Sequence, residues 1–319
     1  MIRKALGSTG LQVTPLCIGC GALASMPEDF GYAVPEAQAL ATLRLAFRSP
    51  INFLDTAAAY GDGESERRIG LVLRELGGLP PGYVLSTKAD RNLQTGEFSG
   101  EQFRRSLDRS LRLLGLDRLP LVFLHDPEHT TFEQVMTRGG PLDVMQQFKA
   151  QGVIEHLGIA GGPIDLLIRY VETRAFEVVI THNRYTLLHR GAEPLIDHAT
   201  RLGVAVLNAA PYGSGILAKG PEAYPRYAYR DAATSVVERA RRMADLCREN
   251  GVPLAAAALQ FSLRDPRIVS TIVGLSRPER ITETLGLLTR PIPDDLWPRL
   301  DAFAEWEGDP QAPGSQVRG

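Results

Sequence analysis

Four residues in the first half of the chain have the types and placement to move a proton together: Asp55, Tyr60, Lys88 and His125. Each stands at or just past the end of a short apolar run, at 52–55, 84–87 and 121–125. Charges at the ends of buried strands are costly unless paired, so Asp55 and Lys88 are expected to meet as an ion pair. An ammonium beside a phenol favours the phenolate and lowers its pKa, and an imidazole can donate or accept at the same oxygen. A phenol tuned in this way suits proton transfer to a carbonyl oxygen while hydride reaches the carbon. That chemistry needs no metal. Any one of these residues alone reads better as a satisfied polar group at a strand end. Four of them on adjacent strands reverse that reading.

The elements that must position them follow from hydrophobic periodicity. Apolar runs at 16–19, 52–55, 84–87, 121–125, 156–160, 178–181, 205–209 and 270–273 read as strands. Helical patterns at 36–47, 64–76, 100–114, 142–151, 165–173, 193–202, 254–263 and 279–287 separate and follow them. Runs apolar enough to be buried on both faces, in eight β-then-α units, predict a closed parallel (β/α)8 TIM barrel, with active-site residues where strands end. An open doubly wound sheet would carry a Gly-rich fingerprint after its first strand, and Gly19-Cys20-Gly21 followed by Ala24 is only a weak imitation of one. Outside the count lie an N-terminal hairpin at 1–13, suited to plug the barrel bottom, a long tyrosine-rich loop after strand seven at 211–231, and an extra helix at 235–249. No linker splits the chain, so residues 1–319 read as one domain.

Composition narrows the class of function. A net charge of −2 gives no reason to expect nucleic acid or an anionic membrane as partner. No stretch reaches the roughly 18 to 20 apolar residues of a membrane helix, and no signal-type run opens the chain. Three cysteines make no disulfide framework. The expectation is a cytoplasmic enzyme acting on a small molecule. Cys17 and Cys20 form a C-x-x-C spacing inside an apolar run and read as buried small thiols. Ile18-Gly19-Cys20 lacks the H-x-H of metal-dependent barrel hydrolases, and His129, His156, His189 and His198 show no ligand spacing. No metal is expected. His182, at the end of the sixth strand, is a further candidate to face the site.

The segment Asp55-Thr-Ala-Ala-Ala-Tyr60-Gly-Asp-Gly-Glu64-Ser-Glu66 with Ile69-Gly70 resembles the signature of the aldo-keto reductase superfamily. Lys88 in Leu85-Ser-Thr-Lys and His125 in Leu124-His-Asp-Pro-Glu128 fall at that family's other catalytic positions. The stretch Val252-Pro-Leu-Ala-Ala-Ala-Ala-Leu-Gln-Phe261 and the loop Asn208-Ala-Ala-Pro211 look like the branch of D-threo-aldose 1-dehydrogenases, L-galactose dehydrogenase and pyridoxal 4-dehydrogenase. The resemblance implies an oxidoreductase passing hydride between NADP(H), or NAD(H), and a carbonyl or sugar substrate. Tyr60 becomes the general acid/base, Lys88 and Asp55 its tuning pair, and His125 the carbonyl-orienting group. Implied coenzyme contacts are Gly21, Asp55 and Asn183, the loop residues Pro211, Tyr212, Gly213 and Gly215, and the segment with Gly274, Ser276, Arg280, Glu283 and Thr284. Two departures stand out: Ala160-Gly161 replaces a Ser-Asn pair, and Ala209 replaces an aromatic that stacks on nicotinamide. A non-catalytic nicotinamide-binding regulatory module is the rival within the same superfamily. The aromatic-basic run at 224–230 is open between a lid and a packed loop.

Overall fold

A computed structural model describes residues 1–306 and 308–311; residue 307 and the stretch 312–319 of the expected 1–319 domain lie outside the described residues. Eight parallel strands close a barrel in chain order: β1 (Leu16–Gly19), β2 (Phe53–Asp55), β3 (Val84–Ala89), β4 (Leu119–His125), β5 (Ile154–Ala160), β6 (Val178–His182), β7 (Ala205–Ala209) and β8 (Ile268–Gly274), which returns to pair with β1. Around it run α1 (Glu36–Arg48), α2 (Glu64–Leu76), α3 (Gly100–Leu114), α4 (Pro141–Ala150), α5 (Ile164–Glu172), α6 (Glu193–Arg201), α7 (Leu254–Arg264) and α8 (Glu279–Leu287). The expected (β/α)8 architecture is the one observed.

Helix α3 shows why these segments are helical. Phe103, Leu107 and Leu114 recur on one buried face, Ser99 accepts from the backbone N–H of Gln102 as N-cap, and Gly115 ends the helix in the left-handed region. Gly70, in the motif read from sequence, lies where α2 crosses α3: a Cβ there would sit 1.9 Å from the Leu113 carbonyl oxygen. Its absence allows the two helices behind the site to touch.

Inside the barrel, Cys17, Phe53, Leu121, Phe123 and Leu207 fill the lumen, and Leu6 and Val13 of the hairpin (Lys4–Ala5 with Gln12–Val13) close its bottom. Strand β3 runs two residues beyond its apolar run, because ladder pairing continues through Lys88 opposite Phe123 and Ala89 opposite Leu124. The backbone pairs regardless of side-chain charge, which periodicity cannot register.

Four short helices escaped the sequence pattern: Pro27–Phe30, Phe132–Met136, Ile216–Lys219 and Leu296–Asp301. The loop after β7 also holds a small hairpin, Arg226–Tyr227 with Arg230–Asp231, and leads into the extra helix Thr234–Glu249. Among the described residues no helix is long and apolar enough to cross a membrane.

Candidate active site

Strand register assembles the four candidate residues. Asp55 ends β2 level with Ser86, and Lys88, two residues further on, points to the same face. Ser86 Oγ donates to Asp55 Oδ1 at 2.8 Å, and Lys88 Nζ donates to Asp55 Oδ2 at 2.6 Å. The ammonium's other protons go to the Thr56 carbonyl at 2.7 Å and to the Tyr60 hydroxyl at 3.1 Å. Phe123 lies level with Lys88, so His125 is the next residue of β4 on that face, and its ring meets the Tyr60 ring edge-on at 6.1 Å.

Burial would strip the proton from Lys88, but the Asp55 carboxylate and the Tyr60 oxygen outweigh it and hold the amine above its ordinary value. The phenol departs from the sequence expectation. Burial pushes Tyr60 above its ordinary range, and the Lys88 ammonium opposes that shift without reversing it. Desolvation is the larger effect because the hydroxyl lies at the base of a cleft rather than in water.

His125 is held by a residue that the strand-end reading missed: its Nδ1 lies 2.6 Å from Oδ1 of Asp90, the residue just after β3. Burial lowers the imidazole pKa, but the Asp126 and Asp90 carboxylates outweigh it and carry it above its ordinary value. His182 also faces the cleft, where burial and the Arg184 guanidinium push it down to about 4 and leave it neutral. Tyr229, in the loop after β7, lines the same cleft with its ring 6.5 Å from that of His182.

The cleft holds about 810 Å³ and runs from these groups past Ala160, Gly161 and Ala209 to the start of α8. Gly21, Asp55, Pro211, Tyr212, Gly215, Gly274, Ser276, Arg280, Glu283 and Thr284 line it. Asn183 and Gly213 stand outside its wall. Asn183 is fully buried behind Ser214, whose Oγ donates to its side-chain oxygen at 3.2 Å, while the Tyr227 hydroxyl donates to its carbonyl at 2.6 Å. Gly213 is covered by the Tyr227 ring, 2.3 Å from where a Cβ would be. Cys17 and Cys20 are buried, Cys17 in the barrel lumen and Cys20 in the layer outside it.

A parallel barrel with a cleft at the C-terminal ends of its strands, floored by a carboxylate–ammonium–phenol chain, defines a class. Residues 15–305 match the Aldo/keto reductase family, and the chain belongs to it and is an oxidoreductase. It is 31% identical to pyridoxal 4-dehydrogenase of Microbacterium luteolum, spanning 93% of this chain and 96% of that protein. It is 30% identical to D-threo-aldose 1-dehydrogenase of a Pseudomonas species, again over 93% and 96%. The holo form of an aldo-keto reductase from Bacillus halodurans shares the fold, with a TM-score of 0.78 over 98% of this chain and 99% of that one at 23% identity.

Proposed function

We propose that this enzyme transfers hydride between NADP(H), or NAD(H), and the carbonyl or hemiacetal carbon of an aldehyde, ketone or aldose, with Tyr60 as general acid/base. The observation that carries the reading is one ammonium, Lys88, bonded to both a buried carboxylate, that of Asp55, and the hydroxyl of Tyr60, at 2.6 and 3.1 Å. In reduction Tyr60 gives its proton to the substrate oxygen, and Lys88 stabilises the phenolate left behind. In oxidation the same phenolate takes the proton of the substrate hydroxyl. Asp55 keeps Lys88 charged at its station, and His125 orients the reacting oxygen.

Bound in the cleft, the nicotinamide would supply or accept the hydride. The loop at 211–215 would lie along its pyrophosphate, and Ser276, Arg280, Glu283 and Thr284 would hold the adenosine half. Asn183 would act from behind Ser214. The cleft suits such a group in one specific respect: the Tyr212 hydroxyl is buried in its wall with no hydrogen-bond partner among the described residues, and a buried hydroxyl of that kind takes its partner from a bound ligand or a water. The reading places the enzyme in the cytoplasm, working on small molecules without a nucleic-acid or membrane partner.

A panel of aldoses, lactols and aldehydes, run with each coenzyme and followed at the reduced-nicotinamide absorbance, tests the proposal. Turnover of at least one sugar or aldehyde is expected. Tight coenzyme binding with no turnover of any carbonyl would leave the non-catalytic regulatory module instead.

A further inference from the structure

Asp90 is level with His125, because its neighbour Ala89 pairs with Leu124 in the β3–β4 ladder. Its two carboxylate oxygens do different things. Oδ1 meets His125 Nδ1 at 2.6 Å, and Oδ2 accepts from the backbone N–H of Ala59, the residue before Tyr60, at 2.8 Å. The backbone is fixed in turn by α3: the Asp90 N–H donates to Ser106 Oγ at 3.1 Å, and Gln102 Nε2 donates to the Asp90 carbonyl at 3.1 Å. The Asp90 side chain is 3% exposed. One side chain thus anchors both the loop that carries Tyr60 and the ring of His125.

The consequence for His125 follows from proton counting. A carboxylate has no proton to give, so the Nδ1 position facing it must carry the hydrogen. A neutral ring then presents a bare Nε2, which can accept but cannot donate. Only the imidazolium offers Nε2–H to a carbonyl oxygen. Resting on the function proposed above, we infer that Asp90 is a positioning residue that locks His125 with Nδ1 protonated, so that its cation orients a carbonyl and its neutral form orients an alcohol. No proton leaves the ring toward substrate; Tyr60 remains the group that transfers one.

The charges facing His125 are consistent with a stabilised cation. Asp90 lies beyond the end of β3 and Asp126 beyond β4, the latter with Oδ1 3.4 Å from Nε2, long for a bond and leaving Nε2 available to the cleft. Glu128 adds a further carboxylate, Lys88 of β3 and His129 oppose the cation, Arg91 lies 3.7 Å from Asp126, and Tyr60 and His182 face the ring uncharged. The ring is held above its ordinary 6.5. Reduction should therefore decline as pH rises through that raised value, while alcohol oxidation gains over the same interval.

The test is a titration of the full-length protein labelled with ¹⁵N-histidine, the His125 signal identified by its loss in His125→Asn. In the wild type, Nδ1 should stay protonated throughout and Nε2 should lose its proton above the ordinary imidazole value. In Asp90→Asn that loss should move down by about one pH unit or more, the effect of removing a neighbouring opposite charge. The alkaline limb of kcat/KM for carbonyl reduction should shift by the same amount, with the Kd of reduced coenzyme, read by fluorescence, unchanged. A wild-type ring with Nε2 protonated and Nδ1 bare overturns the inference and needs no variant to fold. So does an identical titration in Asp90→Asn. Full turnover by Tyr60→Phe would instead remove the catalytic reading and leave the histidine titration as it is.

Discussion

The two ends of the cleft are built by different rules. At the catalytic end Asp55 and Lys88 are buried and each polar atom of the pair has a defined partner, set by the register of β2, β3 and β4. At the far end Arg277 and Arg280 both reach the carboxylate of Glu283, at 3.5 and 3.2 Å, on side chains that are one-third to one-half exposed, and Arg277 lies 3.9 Å from Glu279 as well. Exposed pairs of that kind contribute roughly 0–1 kcal/mol and exchange readily for another anion. On the proposed function, the contrast sets a fully partnered proton-transfer site against a coenzyme site whose exposed ion pairs could be traded for a phosphate.

The largest expected effect strikes the rigid end. Tyr60→Phe should lower kcat by roughly 10²- to 10⁴-fold, the usual value of a positioned acid/base, while the Kd of coenzyme measured by fluorescence stays nearly the same. A kcat equal to wild type would remove Tyr60 from its role. Lys88→Met comes next and acts twice. Leaving Asp55 buried without its cation should cost roughly 3–5 kcal/mol in urea unfolding. Because Lys88 is the group that lowers the Tyr60 pKa, its loss should also move the remaining alcohol oxidation to higher pH. Matching pH profiles in the two proteins would show that the ammonium does not tune the phenol.

The rigid end is also the legible one. Asp55, Lys88 and His125 interrupt or end apolar runs, and a charge in such a run stands out because burying it needs a partner. Asp90 carries no such mark: it follows Lys88 outside the run, and only strand pairing brings it level with His125. Gly70 is readable as part of a motif, but its physical reason, the approach of α2 to α3, is a tertiary fact. The barrel itself is legible from eight repeated units, whereas the short helix Pro27–Phe30 and the hairpin Arg226–Tyr227 with Arg230–Asp231 have too few residues for periodicity to register. Asn183 is placed by resemblance alone: it is fully buried, its side-chain oxygen accepts from Ser214 Oγ at 3.2 Å and its amide meets Tyr229 of the cleft wall, contacts that neither apolar runs nor motif spacing register.

At the looser end the expected effects are smaller. The wild type should use both coenzymes, with NADP(H) ahead by about ten- to a hundredfold in kcat/KM, the ~1.4 to 3 kcal/mol of one charge-assisted contact to a 2′-phosphate. The N-terminus of α8 adds a favourable dipole for that phosphate. Arg280→Ala should remove most of the preference and leave NAD(H) kinetics almost alone. A wild type that favours NAD(H), or a variant that loses both coenzymes equally, would rule Arg280 out as the discriminating residue.

The smallest effect concerns the segment that bridges the cleft between those ends. The Tyr224 hydroxyl donates to the Phe30 carbonyl at 2.9 Å, joining the loop after β7 to the short helix after β1. Its ring lies against Gly215, where a Cβ would come within 2.7 Å, and Lys219 Nζ sits 3.9 Å from the Tyr224 ring and 4.9 Å from that of Tyr32. Phe30 in turn meets the Tyr229 ring edge-on at 6.1 Å. Opening this strap requires breaking the Tyr224 hydrogen bond, a net contribution of about 0.5–1.5 kcal/mol. Tyr224→Phe keeps the ring contacts and deletes the hydroxyl's bonds to the Phe30 carbonyl and to Arg226, so coenzyme should leave about two- to twelvefold faster in stopped-flow fluorescence, with the melting temperature nearly unchanged. If the segment is only a packed loop, the melting temperature falls and the release rate does not move. The variant therefore separates a gate on the coenzyme from a piece of ordinary surface packing, a distinction the aromatic-basic run at 224–230 leaves open when read as sequence.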